Sequence, residues 1–315
     1  MNTLAADFGG RRIKLGLVTD GKVAAQEILP AIADQPLRHR LDAVAKSLRQ
    51  LCDQKNIRLE DCKGIGVSYP SVIDTINARI TDHFGKFGDA SSFDFRQWAE
   101  QQLRLPLAID NDARMALIGE WIYGNWNSDN MVLLTIGTGL GVATVIQGQV
   151  LRGAHGQAGI LGGHITVQTD GRACVCGNIG CAEAEASTSV LEKIARKHPE
   201  FQTSALANEA AVDYGTLFRL ASGGDACAKS LVQHTLNVWS ALAVSLIHAF
   251  DPDLLVLSGG VMGSSEFILP TLREYVNRHA HTPWGKVRIE VSLLRERAAL
   301  LACEWLVSEQ LAKAI

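Results

Sequence analysis

No sign of charge dominates this chain: 30 Lys and Arg stand against 33 Asp and Glu, a formal net charge of −3. A field that weak does not hold nucleic acid or an anionic membrane, so neither is expected as a partner. Linkers and low-complexity stretches are also missing. Apolar material is not scarce, at 47% of 315 residues. That is enough for a full core, which excludes both a disordered chain and a miniprotein stapled by disulfides. At ~150 residues per domain the length suggests two domains.

Unbroken apolar runs of membrane-spanning length are lacking too. Residues 131–151 carry no charge, but Gly137, Gly139, Gly141 and Gly148 interrupt them, which suits two strands and their turns. Residues 231–250 are likewise uncharged, yet Gln233, His234, Asn237 and Ser240 point to a helix buried in protein. Asp7 falls where a signal peptide would be apolar, so the expected location is cytoplasmic. Of the seven cysteines, Cys52, Cys62, Cys227 and Cys303 are scattered, whereas Cys174, Cys176 and Cys181 lie close together. In a cytoplasmic chain such a cluster indicates metal or redox chemistry rather than disulfides.

A weak internal repeat organises the chain. Residues 4–23 and 131–150 each run from an apolar segment through a glycine turn to a second apolar segment and a further turn. Gly10 falls on Gly137, Gly21 on Gly148 and Val23 on Val150. Each copy reads as an antiparallel hairpin followed by a tight turn, at Asp20-Gly21 and at Gln147-Gly148. Two related α/β halves would each open this way, with the two glycine turns facing one cleft. Elsewhere helices are expected over 41–52, 95–103, 113–123, 267–279 and 297–311, and strands over 64–68, 107–109, 254–257 and 287–293. Such alternation indicates α/β architecture.

The run Cys174-Val-Cys176-Gly-Asn-Ile-Gly-Cys181 carries the strongest chemical signal. Thiolates are good zinc ligands, and Gly177 and Gly180 let the backbone aim three sulfurs at one point. The fourth ligand of a structural site would be His164 or His155. Thr135-Ile-Gly137-Thr138-Gly139-Leu-Gly141 could cradle phosphate with backbone N–H groups, as could Asp7-Phe-Gly9-Gly10; each is otherwise an ordinary hairpin turn. Gly259-Gly260 closes a strand and could admit a purine. Asp110-Asn111-Asp112 closes a strand and opens a helix, so one of the three is expected to be an N-cap, and a carboxylate there could accept a hydroxyl proton in phosphoryl transfer.

Together the glycine turns, Asn111-Asp112-Ala113, Gly163-His164 and the Cys-x-Cys-Gly-x-x-Gly-Cys-x-Glu run resemble the ROK family of sugar kinases and repressors. The resemblance extends from about Leu4 to the final helix. It implies the actin-like ATPase fold, with two RNase-H-like lobes around a central cleft: residues 1–112 with 300–315 packing back, and 113–299 with the zinc site. It further implies an ATP-dependent, Mg2+-assisted kinase of a hexose or hexose-derivative hydroxyl, with a structural Zn2+, acting as a homodimer. Carried over by residue, Asp112 is the catalytic base, and Asn111, Glu183 and His164 touch the sugar. His164, Cys174, Cys176 and Cys181 hold zinc. Asp7 lies near the magnesium, Gly9, Gly10, Arg11, Gly137, Thr138 and Gly139 form the phosphate turns, and Gly259 and Gly260 border the nucleotide.

Three positions depart from the family pattern. Leu161 stands where a sugar-gripping glutamate is usual, Arg11 where a threonine follows the first Gly-Gly, and Ser71 where a glycine follows the proline of the early loop. Glu185 could supply a carboxylate in place of the lost one, but on a helix it lies ~200° round from Glu183 and should point away. The alternative function is a catalytically weak sugar sensor. A repressor is disfavoured, because the first glycine turn comes as early as Gly9 and leaves no room for a DNA-binding module before it.

Overall fold

The computed structural model describes residues 1–82 and 86–313. In chain order the strands and helices are β1 (Asn2–Phe8), β2 (Arg12–Thr19), β3 (Lys22–Pro30), α1 (Arg38–Gln54), β4 (Cys62–Tyr69), β5 (Val72–Asp74) and β6 (Arg79–Asp82). There follow α2 (Phe95–Leu103), β7 (Leu107–Asn111), α3 (Asp112–Tyr123), β8 (Met131–Ile136), β9 (Leu140–Ile146), β10 (Gln149–Val150), α4 (Ala182–Ala186) and α5 (Thr188–Arg196). The last are α6 (Tyr214–Ser222), α7 (Ala226–Phe250), β11 (Leu254–Ser258), α8 (Ser265–His279), β12 (Arg288–Val291) and α9 (Ala298–Lys313).

The repeat is a repeat of topology. One five-stranded sheet has the order β3-β2-β1-β4-β7 and the other β10-β9-β8-β11-β12. In both, the opening hairpin is antiparallel and the two later strands add in parallel beside its first strand. Both tight turns have two central residues at positive φ: Asp20 at 48° and Gly21 at 73°, Gln147 at 50° and Gly148 at 67°. That geometry matches the twist of the strands it joins.

Each sheet belongs to its own compact unit, except that Val150, the last residue of β10, falls in unit 1. Unit 1 comprises residues 1–127, 150–160 and 293–315, and unit 2 comprises 128–149 and 161–292; Lys313 is the last residue described. In unit 1, α1 buries Leu41, Val44, Leu48 and Leu51, the spacing of one helical face. Helix α2 begins at Asp94, whose carboxylate accepts the Gln97 N–H. The sequence boundary at 112/113 would separate α3 from unit 1, but α3 packs there against α9. At the crossing a side chain on Gly119 would run into the Ala298 carbonyl, so only glycine lets the two backbones meet. In unit 2, α7 is long and apolar enough to cross a membrane by composition alone. It instead buries Leu231, Leu236, Trp239, Leu242 and Leu246 in the core of that unit, as its scattered polar residues suggest. The uncharged run 131–151 is the β8–β9–β10 segment.

Candidate active site

In unit 1 the C-terminal end of β7 feeds directly into α3, and the three polar residues there have separate tasks. Asp110 is fully buried and paired with two cations, Arg114 one turn on and Arg152, whose Nη2 lies 2.7 Å from Oδ2. Arg114 also donates to the Gly156 carbonyl at 2.9 Å. Asp110 is therefore a structural anchor for the chain around Gly156. Asn111 is the N-cap: its Oδ1 accepts the Arg114 N–H at 3.1 Å. Its amide donates to the Ser71 carbonyl at 3.0 Å and to Asp112 Oδ1 at 3.1 Å.

Asp112, the first residue of α3, accepts its neighbour's N–H, from Ala113 at 2.8 Å. Protein packs closely enough around its carboxyl that desolvation pushes the pKa up to about 6; the Lys86 charge pulls it down and the Asp7 charge pushes it further up. A carboxylate near that value can hold a proton briefly at neutral pH, which is what a general base requires.

Asp7 lies near the C-terminal end of β1, between its two partners in the sheet. On β2 the residue in register is Lys14, whose Nζ is 3.1 Å from Oδ2. On β4 it is Ser68, whose hydroxyl donates to Oδ1 at 2.7 Å. Beyond β1 the Gly9 N–H donates to the Arg12 carbonyl at 2.9 Å, closing the turn. Gly10, Arg11 and Arg12 are exposed. Arg12 is paired with Glu296 at 2.7 Å. A methyl group on Gly10 would come 3.7 Å from Lys86 Cε, so the lysine side chain borders the turn.

Unit 2 carries the second turn. The Gly137 N–H donates to the Gly139 carbonyl at 3.0 Å. The Gly137 and Thr138 carbonyls accept the Thr188 and Ser189 N–H groups at the start of α5, at 3.0 and 3.2 Å. Glu183 braces the same turn, its Oε2 accepting the Leu140 N–H at 2.8 Å. At the end of β11, Gly259 has φ 99°, and a side chain there would strike the Ile136 carbonyl. Its glycine serves the approach of β11 to β8, whereas Gly260 has open space where a side chain would project.

The cysteine run folds as a compact knuckle in unit 2. Cys174 N–H donates to Asn178 O at 2.8 Å, and Gly177 N–H to Cys174 O at 3.0 Å. His164, ending a short 3-10 turn over Gly162–His164, joins it. The four donor atoms of His164, Cys174, Cys176 and Cys181 all lie within 4.8 Å of one another. Cys174 Sγ is 3.4 Å from His164 Nδ1, and Cys176 Sγ is 3.7 Å from Cys181 Sγ. Tetrahedral zinc, with bonds of ~2.3 Å to sulfur and ~2.0 Å to nitrogen, sets such edges at ~3.5–3.8 Å, so the donor set fits the ion. His155 lies in unit 1 and is not part of this group. Glu185 points away from Glu183, as expected. It is fully buried behind the knuckle, where it accepts the Arg172 N–H, pairs with the Arg172 guanidinium and lies 3.6 Å from His234 Nε2. Leu161 precedes the 3-10 turn, its carbonyl accepting the His164 N–H at 2.9 Å.

Residues beside the expected ones escaped the sequence reading, among them Lys14, Ser68, Lys86, Arg114 and Arg152. Lys14 was recoverable, since with a connection of residues 9–12 it stands directly opposite Asp7 in the hairpin. Lys86 has no such signal.

The fold is the actin-like ATPase fold. A profile of the ROK family matches residues 3–310, and the chain belongs to that family. It is similar to a glucokinase of Halalkalibacterium halodurans, at 29% identity over 98% of this chain and 95% of that one. It is also similar to a xylose repressor of Caldicellulosiruptor bescii, at 27% identity over 76% of this chain and 61% of that one. Among solved structures, a ROK hexokinase from Thermus thermophilus superposes with a TM-score of 0.79 at 28% identity, covering 99% of this chain and 100% of that one.

Proposed function

We propose that the chain is an ATP-dependent kinase acting on a hydroxyl of a hexose or hexose derivative. The observation that carries this reading is Asp112. It follows the edge strand β7 and opens α3, with a pKa pushed up to about 6 and a second carboxylate, Asp7, acting on it. The acceptor hydroxyl attacks the γ-phosphorus, and its proton passes to Asp112. The bond to the β,γ-bridging oxygen breaks, and its electron pair leaves on ADP. Kinases and repressors share this family, and an Asp placed to take a proton favours the kinase.

Other roles follow from free bonding capacity. In unit 1, Asn111 has both amide hydrogens engaged and one Oδ1 lone pair left for a sugar hydroxyl. Asp7 has lone pairs beyond those used by Lys14 and Ser68, and would face Mg2+ through its water shell, the ion screening phosphate charge. In unit 2, Glu183 keeps Oε1 for a sugar hydroxyl, and Gly260 gives room for the nucleotide. His164, Cys174, Cys176 and Cys181 would hold a zinc that is structural, because all four positions are filled by protein. The absence of a carboxylate at Leu161 favours a second reading, a sensor that binds sugar without phosphorylating it. A coupled assay of ATP consumption over a panel of sugars separates the two. Turnover with one of them, lost in Asp112→Asn, establishes the kinase; binding without turnover establishes the sensor.

A further inference from the structure

Two cations of this site, Arg11 and Lys86, have no side-chain partner among the described residues, and of the two only Lys86 is partly buried. Around it every other basic group in contact with the site's carboxylates is committed: Lys14 to Asp7, Arg114 and Arg152 to Asp110, Arg12 to Glu296. Lys86 makes no ion pair or hydrogen bond among the described residues, although it is half-buried. Its stem lies against Gly10 of the first phosphate turn, and its charge is felt by Asp112. The side chain thus borders the turn, near enough to the base for its charge to act there.

We propose that Lys86 is a catalytic residue that binds the γ-phosphoryl oxygens of ATP and takes up their charge during transfer. The proposal rests on the kinase reading for the identity of the reaction, and on the surroundings of Lys86 for the residue. The group in flight passes from the phosphate turn to the acceptor oxygen beside Asp112, and three equatorial oxygens carry its charge. A cation that borders the turn and acts on Asp112 can reach that charge as transfer occurs. An ammonium suits the task, since its three donors rotate freely and need no planar partner. With no carboxylate to release first, Lys86 loses no ion pair when the anion arrives. Lys86 also faces the base: of the charged groups acting on Asp112, Lys86 favours the carboxylate and Asp7, itself paired with Lys14, opposes it.

Calorimetric titration of the full chain with magnesium AMPPNP and with magnesium ADP tests this without any sugar. Lys86→Met should weaken AMPPNP at least tenfold while leaving ADP within about twofold, and Lys86→Arg, which keeps the charge, should recover most of the difference. With a sugar found active in the panel, Lys86→Met should lower kcat by ~10²–10³, the loss typical of removing one transition-state donor, and leave the sugar KM nearly unchanged. Equal losses for both nucleotides, or none for either, overturn the proposal. So does a raised sugar KM with AMPPNP binding intact, which would place the ammonium on the sugar. A panel without any active sugar, together with AMPPNP-selective loss in Lys86→Met, sinks the kinase reading and leaves the phosphate-binding role of Lys86 standing.

Discussion

Asp7 and Lys14 face one another across the first hairpin, Nζ to Oδ2 at 3.1 Å, in register as a directly opposed cross-strand pair. The pairing matters because Asp7 acts on Asp112, where its charge raises the pKa. Lys14, paired with Asp7 from the neighbouring strand, is placed to offset part of that effect. Lys14→Met should leave Asp7 uncompensated and move the acidic limb of the kcat/KM profile upward by about half a pH unit, neighbouring charges being able to shift a carboxyl by that much or more. The pH–rate profile of the variant decides it; an unmoved limb would mean that Lys14 supports the hairpin alone.

Asp112 itself links activity and stability. Its pKa in the folded chain, about 6, exceeds the ordinary 3.8. A carboxyl raised in this way contributes stability that is fully present below its unfolded value and is lost as pH rises through the folded one. Asp112→Asn cannot titrate, so at pH 7 it should be more stable than the parent by up to ~3 kcal/mol, the equivalent of about two pKa units. The advantage should vanish near pH 3. The same amide cannot accept the hydroxyl proton, and turnover should fall by ~10²–10⁴. Denaturant unfolding at the two pH values, with kinetics, tests both halves.

Much of this was legible in the sequence, for physical reasons that can be named. Asp20-Gly21 and Gln147-Gly148 mark turns because both central positions need positive φ, and both have it. Asp110-Asn111-Asp112 marks the start of α3 because Asn and Asp cap helices, and Asn111 does. Helix α2 over Phe95–Leu103 was readable from its apolar spacing. Short elements were not: β5 and β6 have three and four residues, and α4 five, too few to show a period. Lys86 sits between β6 and α2, where no periodicity constrains its direction, so its approach to Gly10 is purely tertiary. The same holds for Asp110, whose partner Arg114 is one helical turn away but whose second partner, Arg152, is brought in only by the fold.

The cysteine knuckle should carry one zinc per chain in protein purified without chelator, measurable by elemental analysis. Two pairs of its donors, Cys174–His164 and Cys176–Cys181, already stand at the edge lengths of a tetrahedral site, and all four lie within 4.8 Å of one another. Metal near zero in a folded chain would remove the ion from the account.

Glu185 supports that knuckle from behind. Substituting alanine leaves the Arg172 N–H without its acceptor, while His234 Nε2 keeps its bond to the Glu185 carbonyl. An unsatisfied group costs ~1–3 kcal/mol. Because Arg172 is partly exposed, water can take over its guanidinium, so the expected loss stays at the lower end. Glu185→Ala should therefore destabilise unit 2 and lower zinc retention under a competing chelator, with sugar kinetics at saturating zinc little changed. Unaltered retention would make Glu185 a general core group with no particular relation to the metal loop.

Leu161 offers the sharpest test of substrate. Three residues before His164, where the family resemblance leads to a carboxylate being expected, this chain has an apolar side chain at the start of the 3-10 turn. A sugar hydroxyl facing it loses a charge-assisted hydrogen bond worth ~1.5–3 kcal/mol, which corresponds to roughly 10–100-fold in efficiency. Glu185 does not fill the gap, being buried with Arg172 and His234. Glucose, mannose and their N-acetylated amines should thus be poor substrates for the native chain, and Leu161→Glu should raise kcat/KM for at least one of them by about that factor. A ligand that presents an apolar face, or lacks the hydroxyl, should change in the opposite direction, since a new carboxylate would be desolvated against it without a partner. Steady-state kinetics of both proteins over the same panel decide the matter. Native efficiency for glucose at or above ~10⁴ M⁻¹s⁻¹, ordinary for a good enzyme, would show that the lost glutamate does not govern specificity.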